Sequence, residues 1–274
     1  HRHLSVGAPP DDFSSTGQDW GLPLFNWDIM QVQNLEWWRL RIHEAAKTYA
    51  MIRLDHVVGF FRVWVISKER PPSFDPPNEH DQIERGKALL SAILQEAGEC
   101  IPIAEDLGCI PDFVRYILSE FQIPGHKILR WEKQGEVYIH PRDYPKLSLA
   151  TTGTHDTSSL SIWWHDLSLQ ERQNFLGLLN APADLSSVSP LPDLLHQKII
   201  DLLLESASLL VVFPIQDLLL EEARINTPAT VGPHNWCYRL PVDLSALDHT
   251  SPYQERLLYL TEAIKRFQRA PDDK

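Results

Sequence analysis

No stretch of the 274 residues approaches ~18 consecutive apolar residues, which excludes a membrane-spanning helix. The opening HRHLSVGAPP has no apolar signal-peptide core, so the sequence carries no evident export signal. Basic residues are scarce: 25 Lys and Arg against 37 Asp and Glu leave a formal net charge of −12. A nucleic-acid binder needs a basic stripe to displace counterions, and none is present. Cysteine is scarcer still. Cys100, Cys109 and Cys237 are odd in number and lack CxxC spacing, which fits reduced thiols in a cytoplasmic protein. There is no repeat of fixed period, no low-complexity tract and no GxGxxG turn. Against these shortages stand 43% apolar residues, enough for one large domain or two small ones, together with 9 Trp and 12 His that suit a polar substrate with flat apolar faces.

Short β-like runs alternate with helical stretches along the chain, the pattern of an α/β protein. Residues 1–33, rich in Gly, Pro, Asp and Ser, read as an ordered loop. Asn34 is placed to cap a helix through Leu35, Trp38 and Ile42. Strands are expected at 50–55, 101–104, 127–130, 147–152 and 209–213, and helices at about 82–97, from Pro111 through Phe121, at 168–179, 191–206 and 253–267. Acids or histidines follow several of these strands, and a helix follows each. A (β/α)8 TIM barrel assembles its site in that way, from the C-terminal ends of many strands. Five strands are fewer than the eight a closed barrel needs. The expectation is an incomplete barrel whose first three strands lie upstream.

Three carboxylates stand just past strands: Asp55, Glu105 and Asp156, fifty and fifty-one residues apart. Retaining glycoside chemistry needs such a set: one carboxylate attacks the anomeric carbon, and a second protonates the leaving oxygen and later deprotonates the acceptor. The acid and the nucleophile need different environments, because one must keep its proton while the other is ionised. Arg53, two residues before Asp55, shares its face of the strand and supplies a cation beside it.

The segments GAPPDDFSSTGQDWG (7–21), RLDHVVGF (53–60), IAEDLG (103–108), TTGTHD (151–156) and NTPAT…NW (226–236) resemble, in this order, the 4-α-glucanotransferases or amylomaltases. The resemblance covers essentially the whole chain. It implies the C-terminal portion of a catalytic barrel over 1–274, with 1–33 as a loop covering the site and a missing N-terminal barrel segment as its partner. It implies Asp55 as nucleophile, Glu105 as general acid/base and Asp156 as the carboxylate that grips sugar hydroxyls in the transition state. Arg53, His56 and His155 correspond to ligands of the −1 glucose; Gln18, Trp20, Asp106 and Asn226 are the further sugar ligands. The substrates implied are maltooligosaccharides and α-1,4-glucans, with no cofactor and no metal. Two positions depart from the family pattern: Val57-Val58 stand where Phe-Arg is usual after the histidine, and Ala229 stands where glycine is usual.

Other residues invite readings of their own. Trp37-Trp38 and Trp163-Trp164 lie in helical stretches, and at least one of each pair is expected to be core, whereas Trp20, flanked by glycine, is placed to stack on a sugar. His1-x-His3 imitates a metal pair without a preceding strand, His165-Asp166 reads as a solvated turn, and Cys109 has no basic partner and reads as structural. Three functions stay open from the residues themselves: glucanosyl transfer, a metal-dependent barrel hydrolase using the same acids and histidines, and a glucan-binding fragment in which the acids are idle. With two open sheet edges, the 274-residue chain by itself is expected to be unstable and to need the upstream segment.

Overall fold

The computed structural model describes residues 4–10, 16–228 and 230–269. His1, His3, residues 11–15 of the opening motif and Ala229 lie outside the described residues. The chain divides into two compact units, His1–His126 and Lys127–Lys274, and both are mixed α/β.

The first unit contains β1 (Leu4–Ala8), β2 (Gln18–Pro23), α1 (Trp27–Val32), α2 (Glu36–Ala46), β3 (Met51–Leu54), β4 (Val63–Ser67), β5 (Ser73–Asp75), α3 (Glu79–Ala97), β6 (Ile101–Ala104) and α4 (Asp112–Glu120). The chain passes to the second unit through β7 (Gly125–Ile128). Two of the apolar runs become β3 and β6, which pair in parallel with Arg53 opposite Ile103 and Leu54 opposite Ala104. Parallel neighbours need a long crossover, and α3 supplies it. Its first turn is capped by the Asn78 side chain, which accepts from the Asp81 N–H, and it ends at Gly98. Leu89, Leu90 and Ile93 on its inner face are fully buried with Val57, Phe61, Ala104, Val114 and Ile117. Burying such side chains contributes roughly 1.5–3 kcal/mol each.

The opening segment differs from expectation. It is not a loop, because β1 pairs antiparallel with both β2 and β4, and β4 pairs with β5. What makes β1 a strand is a partner far downstream, with Leu4 opposite Ser67. No local pattern of Gly, Pro and Ser discloses that pairing. Asn34 does not cap α2 either: it has φ +53°, Leu35 is the capping position without a side-chain bond, and the Asn34 carbonyl accepts from Arg39 Nε instead.

The second unit contains β8 (Lys133–Gln134), β9 (Val137–Tyr138), β10 (Ser148–Thr151), α5 (Leu160–Asp166), α6 (Leu169–Leu178), α7 (Asp193–Leu204), β11 (Leu210–Val211), α8 (Ile215–Leu218) and α9 (Tyr253–Arg266). β10 pairs in parallel with β11, and on its other edge the Leu129 N–H donates to the Thr151 carbonyl. The expected strand at 127–130 is displaced: β7 ends at Ile128, and Leu129 and Arg130 form a turn. α6 opens with a capping box in which Ser168 and Glu171 satisfy each other's backbone N–H groups. Trp164, Phe175, Leu195, Ile199 and Leu203 form the core beneath. Trp164 is a core residue as expected, and its indole donates to the Val188 carbonyl. His165 and Asp166 are exposed in the last turn of α5.

Candidate active site

In the first unit the parallel register of β3 and β6 brings Asp55 and Glu105 out at neighbouring strand ends. The ladder continues past both strands, since the Glu105 N–H donates to Leu54 and the Val57 N–H donates to the Glu105 carbonyl. Arg53 bridges the two acids, with Nη1 2.8 Å from Asp55 Oδ1 and Nη2 3.7 Å from Glu105 Oε2. The acids differ sharply in exposure: the Asp55 side chain is 74% exposed, the Glu105 side chain 17%. Burial pushes the Glu105 carboxyl up to about 7, opposed by the His56 N–H and Arg53 and helped by the charges of Asp55 and Asp106.

His56 follows Asp55 in left-handed backbone (φ +44°), and its N–H donates to Glu105 Oε2 at 2.5 Å. Burial lowers the pKa of its imidazole, with the Asp55 charge opposing. Gly59 must be glycine for this arrangement, because a Cβ there would stand 2.8 Å from His56 Nδ1. Val57 and Val58 are buried in the turn after His56, so that departure from the family pattern falls on packing. Trp20 lies in β2, edge-on to the His56 ring at 4.9 Å, and its indole donates to Gln18 Oε1 at 3.1 Å. Gln18, Trp20 and His56 line a cavity of about 190 Å³ together with Arg62, Phe74 and the exposed Cys109. Asp55 opens onto a second groove of about 520 Å³, where Trp37 and Trp38 form one wall. Trp38 packs on Phe60 of the core, while Trp37 is half exposed.

Asp106 is placed differently from its neighbours. It is buried, its Oδ1 accepts the His126 N–H at 2.7 Å, and its Oδ2 lies 3.4 Å from Arg115 Nε. The carboxylate thus faces the backbone of β7 and leaves a sugar little to hold.

In the second unit, β10 delivers the chain into a tight loop. Thr157 Oγ1 accepts the Thr154 N–H and donates to the Thr154 carbonyl, and Thr154 Oγ1 accepts the Asp156 N–H. His155 Nε2 stands 3.3 Å from Asp156 Oδ2, and the Asn226 amide donates to Asp156 Oδ1 at 2.6 Å. The Asn226 N–H reaches back to the His155 carbonyl. Arg224 ties both segments, donating to the Asp156 carbonyl at 2.6 Å and to the Asn226 carbonyl at 2.9 Å. The exposed Trp236 ring lies 5.1 Å from the His155 ring. Sequence reasoning missed Arg224 and gave Trp236, the end of the NTPAT…NW segment, no role of its own. Arg224 sits two residues before Asn226 in a stretch without periodicity, and only its contacts mark it. Among the described residues no group of three or more His, Cys, Asp or Glu gathers as a metal ligand set, and no helix is long and apolar enough to cross a membrane.

The family model described as 4-alpha-glucanotransferase matches residues 1–245. The 4-alpha-glucanotransferase of Chlamydia pneumoniae is 36% identical over 256 residues, covering 89% of this chain and 48% of that protein. Among solved structures, the amylomaltase from Streptococcus agalactiae in complex with acarbose superposes with a TM-score of 0.80 at 27% identity, covering 98% of this chain and 52% of the other. The amylomaltase from Corynebacterium glutamicum gives a TM-score of 0.73 at 22% identity over 95% of this chain and 42% of its own, a likeness of fold. The chain spans about half the length of the curated relatives it matches.

Proposed function

The chain belongs to the 4-alpha-glucanotransferase family, and from that premise we propose that it carries the catalytic acids of an α-1,4-glucan transferase working by retaining double displacement. The observation that carries the reading is the pair Asp55 and Glu105: neighbouring strand ends, one carboxylate open to solvent, the other half-buried, where desolvation raises its pKa. That division of environments is what nucleophile and general acid require.

In the first half-reaction, an Asp55 carboxylate oxygen attacks C1 of the donor glucose. The bond from C1 to the leaving O4 breaks, and Glu105 passes its proton to that oxygen. The glycosyl ester on Asp55 is then attacked by the 4-hydroxyl of an acceptor sugar, whose proton goes to Glu105 while Asp55 leaves. Asp156 accepts hydrogen bonds from sugar hydroxyls that tighten in the transition state, and Asn226 and His155 hold it in place. Arg53 and His56 complete the −1 glucose site, and Gln18 and Trp20 contribute from β2. Asp106 acts through β7 and Arg115 rather than on the sugar. No cofactor takes part in this scheme.

The fold that serves this chemistry is a (β/α)8 barrel of which 1–274 supplies the C-terminal part, with a preceding segment completing it. The acarbose complex of the Streptococcus agalactiae neighbour supports an oligosaccharide as ligand. Maltooligosaccharides and longer α-1,4-glucans are the proposed substrates, and the cytoplasm is the proposed location. Incubation with maltotriose of the chain together with the preceding segment that completes the barrel tests the reading. Longer maltooligosaccharides together with glucose support transfer. Glucose and maltose without longer chains make the protein a hydrolase, and an unchanged substrate leaves the acids idle.

A further inference from the structure

Beneath the loop that carries His155 and Asp156 lies a buried ion pair that grips that loop from both ends. Arg130 and Asp217 are 5% and 2% exposed. Arg130 donates through Nε to the Thr152 carbonyl at 2.9 Å and through Nη1 to the Ser158 carbonyl at 2.8 Å, so one guanidinium spans the loop from before His155 to after Asp156. Its Nη2 makes no hydrogen bond and faces Asp217 Oδ2 at 3.9 Å. Asp217 grips the same segment: Oδ2 accepts the Thr152 hydroxyl at 2.5 Å, and Oδ1 accepts the Leu160 N–H at 2.6 Å. The Asp217 carbonyl is in turn held by His196 Nε2 at 2.9 Å, and the guanidinium lies 5.2 Å from the centre of the Trp163 ring. Gly153 lets the loop close over this cation, since a Cβ there would stand 3.0 Å from Arg130 Nη2 and 2.5 Å from Thr157 Oγ1.

Stability alone is a poor reason to bury such a pair, because well-packed apolar residues of similar volume often serve as well or better. A planar fork that reaches two carbonyls at once does something a single ammonium cannot. We infer that Arg130 and Asp217 are positioning residues, which fix residues 152–158 at both ends so that the Asp156 carboxylate stays aimed where its hydroxyl contacts tighten in the transition state. The inference rests on the role given to Asp156 above. Misplacement of a catalytic group by about 1 Å costs on the order of 10²-fold in rate, so small losses of anchoring are readable.

The test uses R130K, D217N and the milder T152V, which removes only the hydroxyl on Asp217. For each, kcat and KM for maltotriose transfer are measured, together with amide hydrogen exchange over 152–158 and over α7 as an internal control. R130K is expected to lower kcat roughly 10- to 100-fold with KM changed by less than about threefold. D217N should follow it, and T152V should fall between wild type and R130K. Exchange should speed up over 152–158 in all three and stay unchanged over α7. Unchanged exchange over 152–158 in R130K overturns the inference, and so does a loosened loop with wild-type kcat. Transfer that survives D156N sinks instead the role of Asp156, recognisable because exchange over 152–158 still responds to R130K.

Discussion

Replacing Glu105 by glutamine is expected to stop the reaction and, above neutral pH, to make the protein more stable. Burial raises this carboxyl from 4.5 to about 7. At about 1.4 kcal/mol per pH unit, that rise corresponds to about 3 kcal/mol. The native state keeps the proton up to about pH 7, whereas the unfolded chain releases it near 4.5. Between those values the native state binds more protons, so stability falls as pH rises. The stabilisation is complete below 4.5 and fully lost once pH has passed 7. Glutamine is neutral throughout, and its side-chain oxygen can still accept the His56 N–H. The stability difference between E105Q and wild type should therefore grow from near zero at about pH 4 to about 3 kcal/mol at about pH 8. Urea midpoints of both proteins across this range measure it, provided their m-values agree. The wild-type rate should decline over the alkaline limb with an apparent pKa near 7, as the proton donor is lost. Stability curves that stay parallel from acid to alkaline pH would refute the assignment of a half-buried, protonated Glu105.

Asp55→Asn should abolish transfer, because an amide cannot form the glycosyl ester. Its cost in stability should stay within ~1 kcal/mol, since the side chain is exposed and its pairing with Arg53 is a surface one; circular dichroism and melting check the fold and chromatography checks the activity. Asp156→Asn should lower kcat far more than it raises KM, and a large rise in KM at unchanged kcat would contradict a transition-state role. Gly59→Ala puts a methyl 2.8 Å from His56 Nδ1 and should displace that ring from its place beside Trp20. A loss of roughly tenfold or more in kcat is expected, and a crystal structure of the variant with His56 unmoved would count against it.

The parts of the molecule legible in the sequence are those set by local pattern. The runs ending before Asp55 and Glu105 become β3 and β6, and their parallel register places the two acids side by side. The helices expected from Pro111 and from about 168 are α4 and α6, whereas α3 begins at Glu79, ahead of the expected start near 82. What stayed hidden depends on partners remote in sequence. β1 is a strand because of β4, and Trp20 consequently stands on a sheet rather than in a loop. Asp106 reads as a second acid beside Glu105 until the His126 backbone is seen to occupy it. Asp217 in α8 looks like a first-turn helix acid, although its carboxylate meets Thr152 and Leu160 across 65 and 57 positions. Arg224 carries no pattern at all, and only the carbonyls of Asp156 and Asn226 identify it.

The central claim is that Asp55 becomes covalently glycosylated, and trapping that ester tests it most directly. In E105Q an α-glucosyl fluoride needs no proton donor to lose its leaving group, while release to an acceptor lacks its general base, so the glycosyl enzyme should accumulate. Mass spectrometry of a rapid acid quench and digest should find one hexose on the peptide containing Asp55. A hexose on a different residue, or fluoride release with no labelled peptide, would contradict the account.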